Sequence, residues 1–355
     1  MECKDDKYLQ EDLEIIAGAK NINWSKLKDR TVFVTGATGL VGSQVIKALL
    51  CVNRISKTNI SIVGLARDEK KVIEIFDENL INSKLEFIYG DICNPINYDK
   101  NIDYIIHGAS VTASKFFVEH PVETMDIAIN GTKNILELAR LKEVRGMVYL
   151  SSMEVFGRTD QNLETVLEKD LGYIDVLNIR SCYSEGKRTC ECLCSAYASE
   201  YGVPVKIARL SQTFGAGITK AENRVFAQFA KSAINKTNIV LHTNGQSEGN
   251  YTYLRDTIIA LFVILERGNI AEAYTVVNEQ TNITIVDMAK MVANEIAKGK
   301  IDVVFDIPED TLMYGYAPET KMKLSSKKLR KLGWEPTVDL LEAYLRMIES
   351  IKIQK

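Results

Sequence analysis

Beginning at Thr31, short runs of β-branched and other apolar residues alternate with longer stretches whose apolar positions recur at helical spacing. The order is TVFVTG then VGSQVIKALL, ISIVGLA then EKKVIEIFDENL, LEFIYG, DYIIHGA then NGTKNILELARL, GMVYLSS then CECLCSAYASEYG, and VKIARL. Strands separated by helices run parallel, because each helix carries the chain back to the edge where the last strand began. The strand runs are apolar throughout, which requires helical cover on both faces. The pattern predicts an α/β protein built on a doubly wound parallel sheet.

Residues 1–28 read as a polar, partly helical extension whose Leu9, Leu13, Ile16 and Ile22 suit docking onto a larger body. After Gln212 the alternation loosens into a helix at 224–234, a strand at NIVLHT, a helix at 256–265, a strand at AYTVVN, a helix over ITIVDMAKMVANEIAKG and a last helix after Trp334. The expected organisation is a sheet domain over 29–210, with 250–265 returning to it, and a smaller α/β lobe from 211–249 and 266–355.

Composition narrows the partners. A chain of 355 residues with 46% hydrophobic positions is long enough for two cores. A net charge of −3 leaves no basic excess for a nucleic-acid backbone. The longest apolar run, 258–265, is far short of the ~20 residues that span a bilayer. The N-terminus is charged and lacks an apolar signal core, so no membrane partner and a cytoplasmic location are expected. Seven cysteines without a CxxC pair, beside three histidines, imply neither a disulfide framework nor a metal site. On a helix, Cys192 points away from Cys190 and Cys194.

The first strand runs directly into Gly36, Thr38, Gly39, Leu40, Val41 and Gly42, followed by a helix. Glycine there permits a tight turn and close backbone approach of a pyrophosphate, which the helix N-terminus then faces with unpaired N–H groups. The context of strand before and helix after marks a dinucleotide site, although the spacing is GxxGxxG. The second strand ends in Ala66-Arg67, where an acidic residue often holds the ribose hydroxyls of NAD. Arg67 suits the 2′-phosphate of NADP, or is simply a solvated arginine, and both NAD and NADP stay open. Asp91, followed by Ile92, stands where a carboxylate accepts from adenine, or where it caps a turn.

Tyr183 and Lys187 share one helix face at a spacing of four. With 15 Tyr and 44 Lys plus Arg in 355 residues, two such pairs are about the chance number, and Tyr251/Arg255 is the other. Chemistry distinguishes the first: a phenol needs a cationic neighbour to fall from a pKa of about 10 toward 7 and accept a hydroxyl proton. Gly186, inside the same helix, implies a close neighbour. Ser152 and Glu154 follow a strand whose carboxyl end is where open α/β sheets bind ligands. Ser152 suits a hydrogen bond to the same hydroxyl and Glu154 a second acid or base, and either also suits a loop cap.

Together TGATGLVGS, GDI, HGAS, NGT, SSMEVFG and YSEGK resemble the extended short-chain dehydrogenase/reductase superfamily, in its nucleotide-sugar epimerase/dehydratase/decarboxylase branch, from about residue 31 to 334. The resemblance implies a tightly held NAD or NADP contacted by the glycine turn, Asp91 and Ala109. It implies an Asn130 supporting the active-site strand, and oxidation of a sugar 4-hydroxyl by Tyr183, Lys187 and Ser152. RSCYSEGKR, RLSQTFG, NRVFAQF and LGWEPTV are most similar to UDP-glucuronate decarboxylases. Those enzymes and 4,6-dehydratases share the Glu at 154. Dehydratases add an acid just before it, where this chain has Met153, and 4-epimerases usually lack the Glu.

Two departures concern the diphosphate: the family's Asn falls at Gln212, and an expected Arg falls at Gly249. Arg224 and Lys321 remain at positions matching nucleotide-diphosphate contacts. The resemblance also implies a homodimer through helices at 122–142 and 182–201. The alternatives are a 4,6-dehydratase or 4-epimerase on the same site, or a non-catalytic scaffold that binds NAD(P).

Overall fold

The computed structural model describes residues 5–77, 84–307 and 321–354. Cys3 and the end of the helix expected over 69–80 lie outside them. The helices are α1 (Lys7–Ala17), α2 (Leu40–Ser56), α3 (Glu69–Phe76), α4 (Ser114–Glu119), α5 (Pro121–Leu141), α6 (Ser181–Tyr201), α7 (Val225–Asn235), α8 (Leu254–Arg267), α9 (Ile285–Met291), α10 (Lys327–Arg330) and α11 (Leu340–Lys352).

Strands β1 (Thr31–Thr35), β2 (Ser61–Ala66), β3 (Leu85–Tyr89), β4 (Tyr104–His107), β5 (Gly146–Ser152) and β6 (Val205–Leu210) build the large sheet. Three pairs of short strands lie beyond it: β7 (Gln212–Phe214) with β10 (Tyr251–Tyr253), β8 (Ile239–Leu241) with β13 (Val303–Phe305), and β9 (Glu248–Gly249) with β12 (Ile283–Thr284). The remaining strand, β11 (Ala273–Val276), corrects the expected lobe boundary. It pairs parallel with β6 and closes a seven-stranded sheet of order β11-β6-β5-β4-β1-β2-β3. The fully buried apolar helix α8 crosses behind the sheet and returns the chain to its edge. Leu329 and Trp334 also join the large core.

The apolar strands supply two cores from one sheet, since successive side chains point to opposite faces. Val32, Val34, Val148 and Leu150 pack with α1, α2 and α8. Phe33, Met147 and Tyr149 pack with Ile127, Ala128 and Ile135 of α5 and with Cys190 and Cys194 of α6. Cys192 faces solvent, and the described cysteines are free. The smaller lobe has its own core around Phe214, Phe226, Tyr251, Met288 and Tyr344. The helix expected over ITIVDMAKMVANEIAKG is split, with α9 giving way to a single π-helical turn at Val292–Ile296.

The N-terminal extension docks on this body. Leu9, Leu13, Ile16 and Ala17 enter the large core, and Asp12 is buried among partners from distant elements. Its carboxylate accepts from the Tyr253 hydroxyl at 2.5 Å, Arg255 at 3.1 Å and Arg346 at 2.7 Å. Removing it leaves Arg255 with the longer 3.8 Å contact to Asp256 and Arg346 with the more exposed Glu11 and Glu342, so Asp12→Ala is expected to lose about 2–3 kcal/mol. Urea unfolding should show this as a lower midpoint at unchanged slope.

Candidate functional site

The site begins where β1 ends. Gly36 has φ +66°, and a Cβ there would lie 2.8 Å from the carbonyl carbon and oxygen of Gly108 after β4. A Cβ on Gly42 would lie 2.2 Å from the Gly36 oxygen. These two glycines seat the turn against β4 and α2 against the turn. Gly39 is the N-cap of α2, and no side chain caps that helix. The first-turn N–H groups of Leu40, Val41 and Gly42 thus meet the half-buried Thr38 at an uncapped positive helix end, an arrangement that fits a pyrophosphate.

Beneath the turn, the Thr35 hydroxyl oxygen accepts from the N–H groups of Gly108 (3.2 Å) and Ala109 (3.1 Å). Its own proton therefore goes to His107 Nδ1, 2.7 Å away. That leaves His107 Nε2–H to donate to the Thr132 hydroxyl at 3.1 Å. Burial, then the Lys187 charge, push His107 down to about 3, so it stays neutral. Asn130, expected to support the active-site strand, is exposed and bonds Asp126 one turn back. Thr132, buried on the same helix, is the α5 residue that this hydrogen-bond network reaches, through His107 of β4.

At the sheet's other end Arg67 is exposed beyond β2, and Asp68 is spent as the N-cap of α3. Asp91 displays the turn-capping role: its Oδ1 accepts the Cys93 N–H at 2.8 Å. Ile92 is buried against Gly131 of α5. Ala109 is half-buried where the glycine turn meets β4.

Tyr183 lies in the first turn of α6, buried, with Ser152 at the end of β5 close enough to act on its phenol. Lys187, one turn on, donates to the Leu150 carbonyl at 2.8 Å, with Nζ 5.8 Å from the Tyr183 ring centre. A Cβ on Gly186 would lie 3.4 Å from Ala128 Cβ, so the close neighbour is α5. The expected lowering of the phenol is not present in the chain by itself. Burial, then the Glu154 charge, push Tyr183 up to about 12, while Ser152, Arg180 and Arg224 act the other way. Burial pushes Lys187 down to about 8.

Glu154 lies in the single 3-10 turn after β5, and both its oxygens are engaged. Arg180 donates to Oε2 at 2.7 Å and to Oε1 at 2.9 Å, and Ser184 donates to Oε2 at 3.1 Å. The guanidinium stands 5.0 Å from the Phe117 ring centre, and Phe117 stacks on Tyr183 at 4.4 Å. Sequence reasoning missed Arg180, Ser184 and Phe117. One signal was available: Arg180 is the N-cap of α6, where a cation opposes the helix dipole and calls for an anionic partner.

From the smaller lobe, Arg224 at the N-cap of α7 is fixed by Glu222 at 3.0 and 2.7 Å, and its charge reaches Tyr183. Gln212 is half-buried on β7, its N–H bonded to Asn250. Lys321 is exposed. Gly249 has a packing reason for lacking the expected Arg: a Cβ there would lie 2.4 Å from the Tyr251 hydroxyl. The structure thus gathers Tyr183, Lys187, Ser152, Glu154 and Arg224, while Arg67 and Asp91 lie toward the other end of the sheet.

Residues 32–278 match the model of the NAD dependent epimerase/dehydratase family. The chain belongs to this family. Within the NAD dependent epimerase/dehydratase family it is similar to UDP-glucuronic acid decarboxylase 1 of Xenopus tropicalis, 27% identical over 324 residues, 90% of this chain and 72% of that protein. UDP-glucuronic acid decarboxylase 6 of Arabidopsis thaliana is 27% identical over 336 residues, 91% of this chain and 89% of that protein. Among solved structures, UDP-glucose 4-epimerase of Thermotoga maritima shares the fold at TM-score 0.74 and 19% identity, covering 90% of this chain and 98% of the other. dTDP-glucose 4,6-dehydratase of Bacillus anthracis does so at 0.70 and 18%, covering 90% and 96%.

Two measurements check this geometry. Gly42→Ala forces α2 off the turn and is expected to weaken dinucleotide binding by at least about tenfold, read by calorimetry. Lys187 releases its proton at lower pH folded than unfolded, so between about pH 8 and 10.5 the unfolded chain holds more protons and stability rises with pH. Relative to Lys187→Met, the parent protein should gain about 1 kcal/mol in denaturant unfolding by about pH 9.

Proposed function

We propose that the protein oxidises the 4-hydroxyl of a nucleotide-diphosphate sugar and then releases carbon dioxide, as a UDP-glucuronate decarboxylase does. The observation that carries this reading is the acid–base inventory at the carboxyl end of β5. Tyr183 is buried beside Ser152, Glu154 is clamped by Arg180, and Met153 stands where a dehydratase carries its acid. Expelling water needs a proton donor beside the leaving oxygen, whereas a carboxylate on the carbon next to a ketone leaves as carbon dioxide without one, its bonding electrons passing into the ketone as an enolate whose carbon then takes a proton. The names of the similar curated proteins support the same ending.

A bound oxidised nicotinamide dinucleotide supplies the hydride acceptor and a positive charge. The glycine turn with Gly36, Thr38, Gly39 and the N-terminus of α2 would hold its pyrophosphate. The chain's own residues then act on the sugar: Ser152 orients the hydroxyl, Tyr183 takes its proton, and Lys187 keeps an ammonium one helical turn away. Arg224 binds the diphosphate, with Gln212 and Lys321 flanking it. The exposed Arg67, with no free carboxylate at the tip of β2, supports acceptance of NADP as well as NAD. The outward faces of α5 and α6, where Val122 and Met125 are exposed, support a homodimer. The free thiols support a cytoplasmic location.

Incubated with UDP-glucuronate, the protein should release carbon dioxide and a pentose nucleotide, read by mass spectrometry. A 4-keto-6-deoxy product from a hexose nucleotide would replace this reading with dehydration. Tyr183→Phe is expected to cut kcat by about 10²–10⁴-fold with dinucleotide affinity retained. Arg67→Glu should weaken NADP binding by at least about tenfold and spare NAD; equal loss of both would remove Arg67 from the ribose site.

A further inference from the structure

Arg180 occupies an expensive position. It is the N-cap residue of α6, where a cation opposes the helix dipole, and its side chain is only 12% exposed. Such a charge is tolerable when its partner is held by good geometry, and here both Nη atoms meet both Glu154 oxygens in a bidentate pair. Ser184, on the same helix face as Arg180, adds a third hydrogen bond. Glu154 is therefore presented as an acceptor with its hydrogen-bonding capacity largely committed, and it would have to break the bidentate pair before donating a proton.

The pair is also joined to the phenol. Phe117 from α4 is 1% exposed and has the Arg180 guanidinium at 5.0 Å and the Tyr183 ring stacked at 4.4 Å with planes 11° apart. The charged groups that act on Tyr183 are Glu154, Arg180 and Arg224. Those acting on Lys187, on the inner side of α6, are Glu191 and the thiols of Cys190 and Cys194.

We propose that Arg180 is a positioning residue for the reaction: its two hydrogen bonds, with the third from Ser184, fix Glu154 as an anion beside Tyr183, so that Glu154 orients the sugar and exchanges no proton with it. This rests on the decarboxylase reading for its substrate, and it adds to that reading that Tyr183 exchanges the 4-hydroxyl proton while the proton that replaces the lost carboxylate comes from solvent. An uncommitted Glu154 would be a second acid; a committed one is a fixed hydrogen-bond acceptor and charge.

The test is kcat and KM across pH for Arg180→Gln, Arg180→Lys, Glu154→Gln and the Arg180→Gln/Glu154→Gln double variant. Arg180→Gln should lower kcat by about 10²-fold, the scale of a misplaced group, with dinucleotide affinity unchanged, and Arg180→Lys should recover part of the loss. Glu154→Gln should lower kcat yet keep both limbs of the pH profile where the parent has them. The double variant should be no worse than the poorer single one, as expected for residues acting as a unit. Loss of a pH limb in Glu154→Gln, or additive losses in the double variant, would overturn the proposal.

If the parent protein does not turn over UDP-glucuronate, the substrate reading fails by itself. The pair is then scored without substrate, from the ultraviolet phenolate titration of each protein minus its Tyr183→Phe counterpart. Glu154→Gln should lower the Tyr183 titration and the double variant should return it close to the parent. No shift in Glu154→Gln would mean that the carboxylate is not held beside the phenol, and the proposal falls.

Discussion

Between the backbones of Gly36 and Gly108 there is no room for a single extra carbon, and the rest of the site is built on that closeness. β1 and β4 are the neighbours at which the strand order reverses, so the connections that follow them leave in opposite directions and open a crevice at the carboxyl edge. The turn can seat there only as bare backbone, and α2 can start directly from it only because Gly42 also lacks a side chain. The Thr35 hydroxyl then ties the two strand ends together and hands its proton to His107, whose other nitrogen reaches Thr132 on α5. The glycine turn and the helix α5, packed against α6, are thereby joined by one chain of oriented hydrogen bonds.

Burial sets the protonation states at the other end of that chain. Desolvation disfavours the charged form of either group, so it moves Tyr183 up to about 12 and Lys187 down to about 8. Near neutrality the protein by itself therefore keeps a neutral phenol beside an ammonium whose hydrogen bond goes to Leu150. The paired charges of Glu154 and Arg180 act on the phenol with opposite sign, so the net bias falls to burial. An added positive charge in the crevice is what such a phenol lacks as a base.

The smaller lobe is held in register by charge as well as by apolar packing. Asp12 of α1 binds Arg255 on α8 and Arg346 on α11, and Tyr253 on β10 completes the cluster. α1 packs on α2 as well, and the Asp6 carboxylate takes the Ser350 hydroxyl, which in turn accepts the Gly217 N–H. Gly217 lies between Gln212 and Arg224, so the extension fixes the segment that carries the lobe's candidate substrate contacts. It lies outside residues 32–278, which match the family model.

Periodicity made the parallel sheet, the glycine turn and the Tyr183/Lys187 helix face legible, because each depends on residues close in the chain. Apolar strand runs need cover on both faces, a strand-turn-helix needs small residues at fixed steps, and a spacing of four puts two side chains on one face. Tertiary structure alone decided the rest. It moved β11 into the large sheet, because strand order is set by which edge α8 returns to and no local pattern records that. It joined Thr132 of α5 to His107 of β4, and set Gly249 beside Tyr251. It turned Glu154 from a free acid into the partner of Arg180, 26 positions away in sequence. A side chain's chemical type is written in the sequence, but its partner, its burial and therefore its protonation exist only once distant segments are brought together.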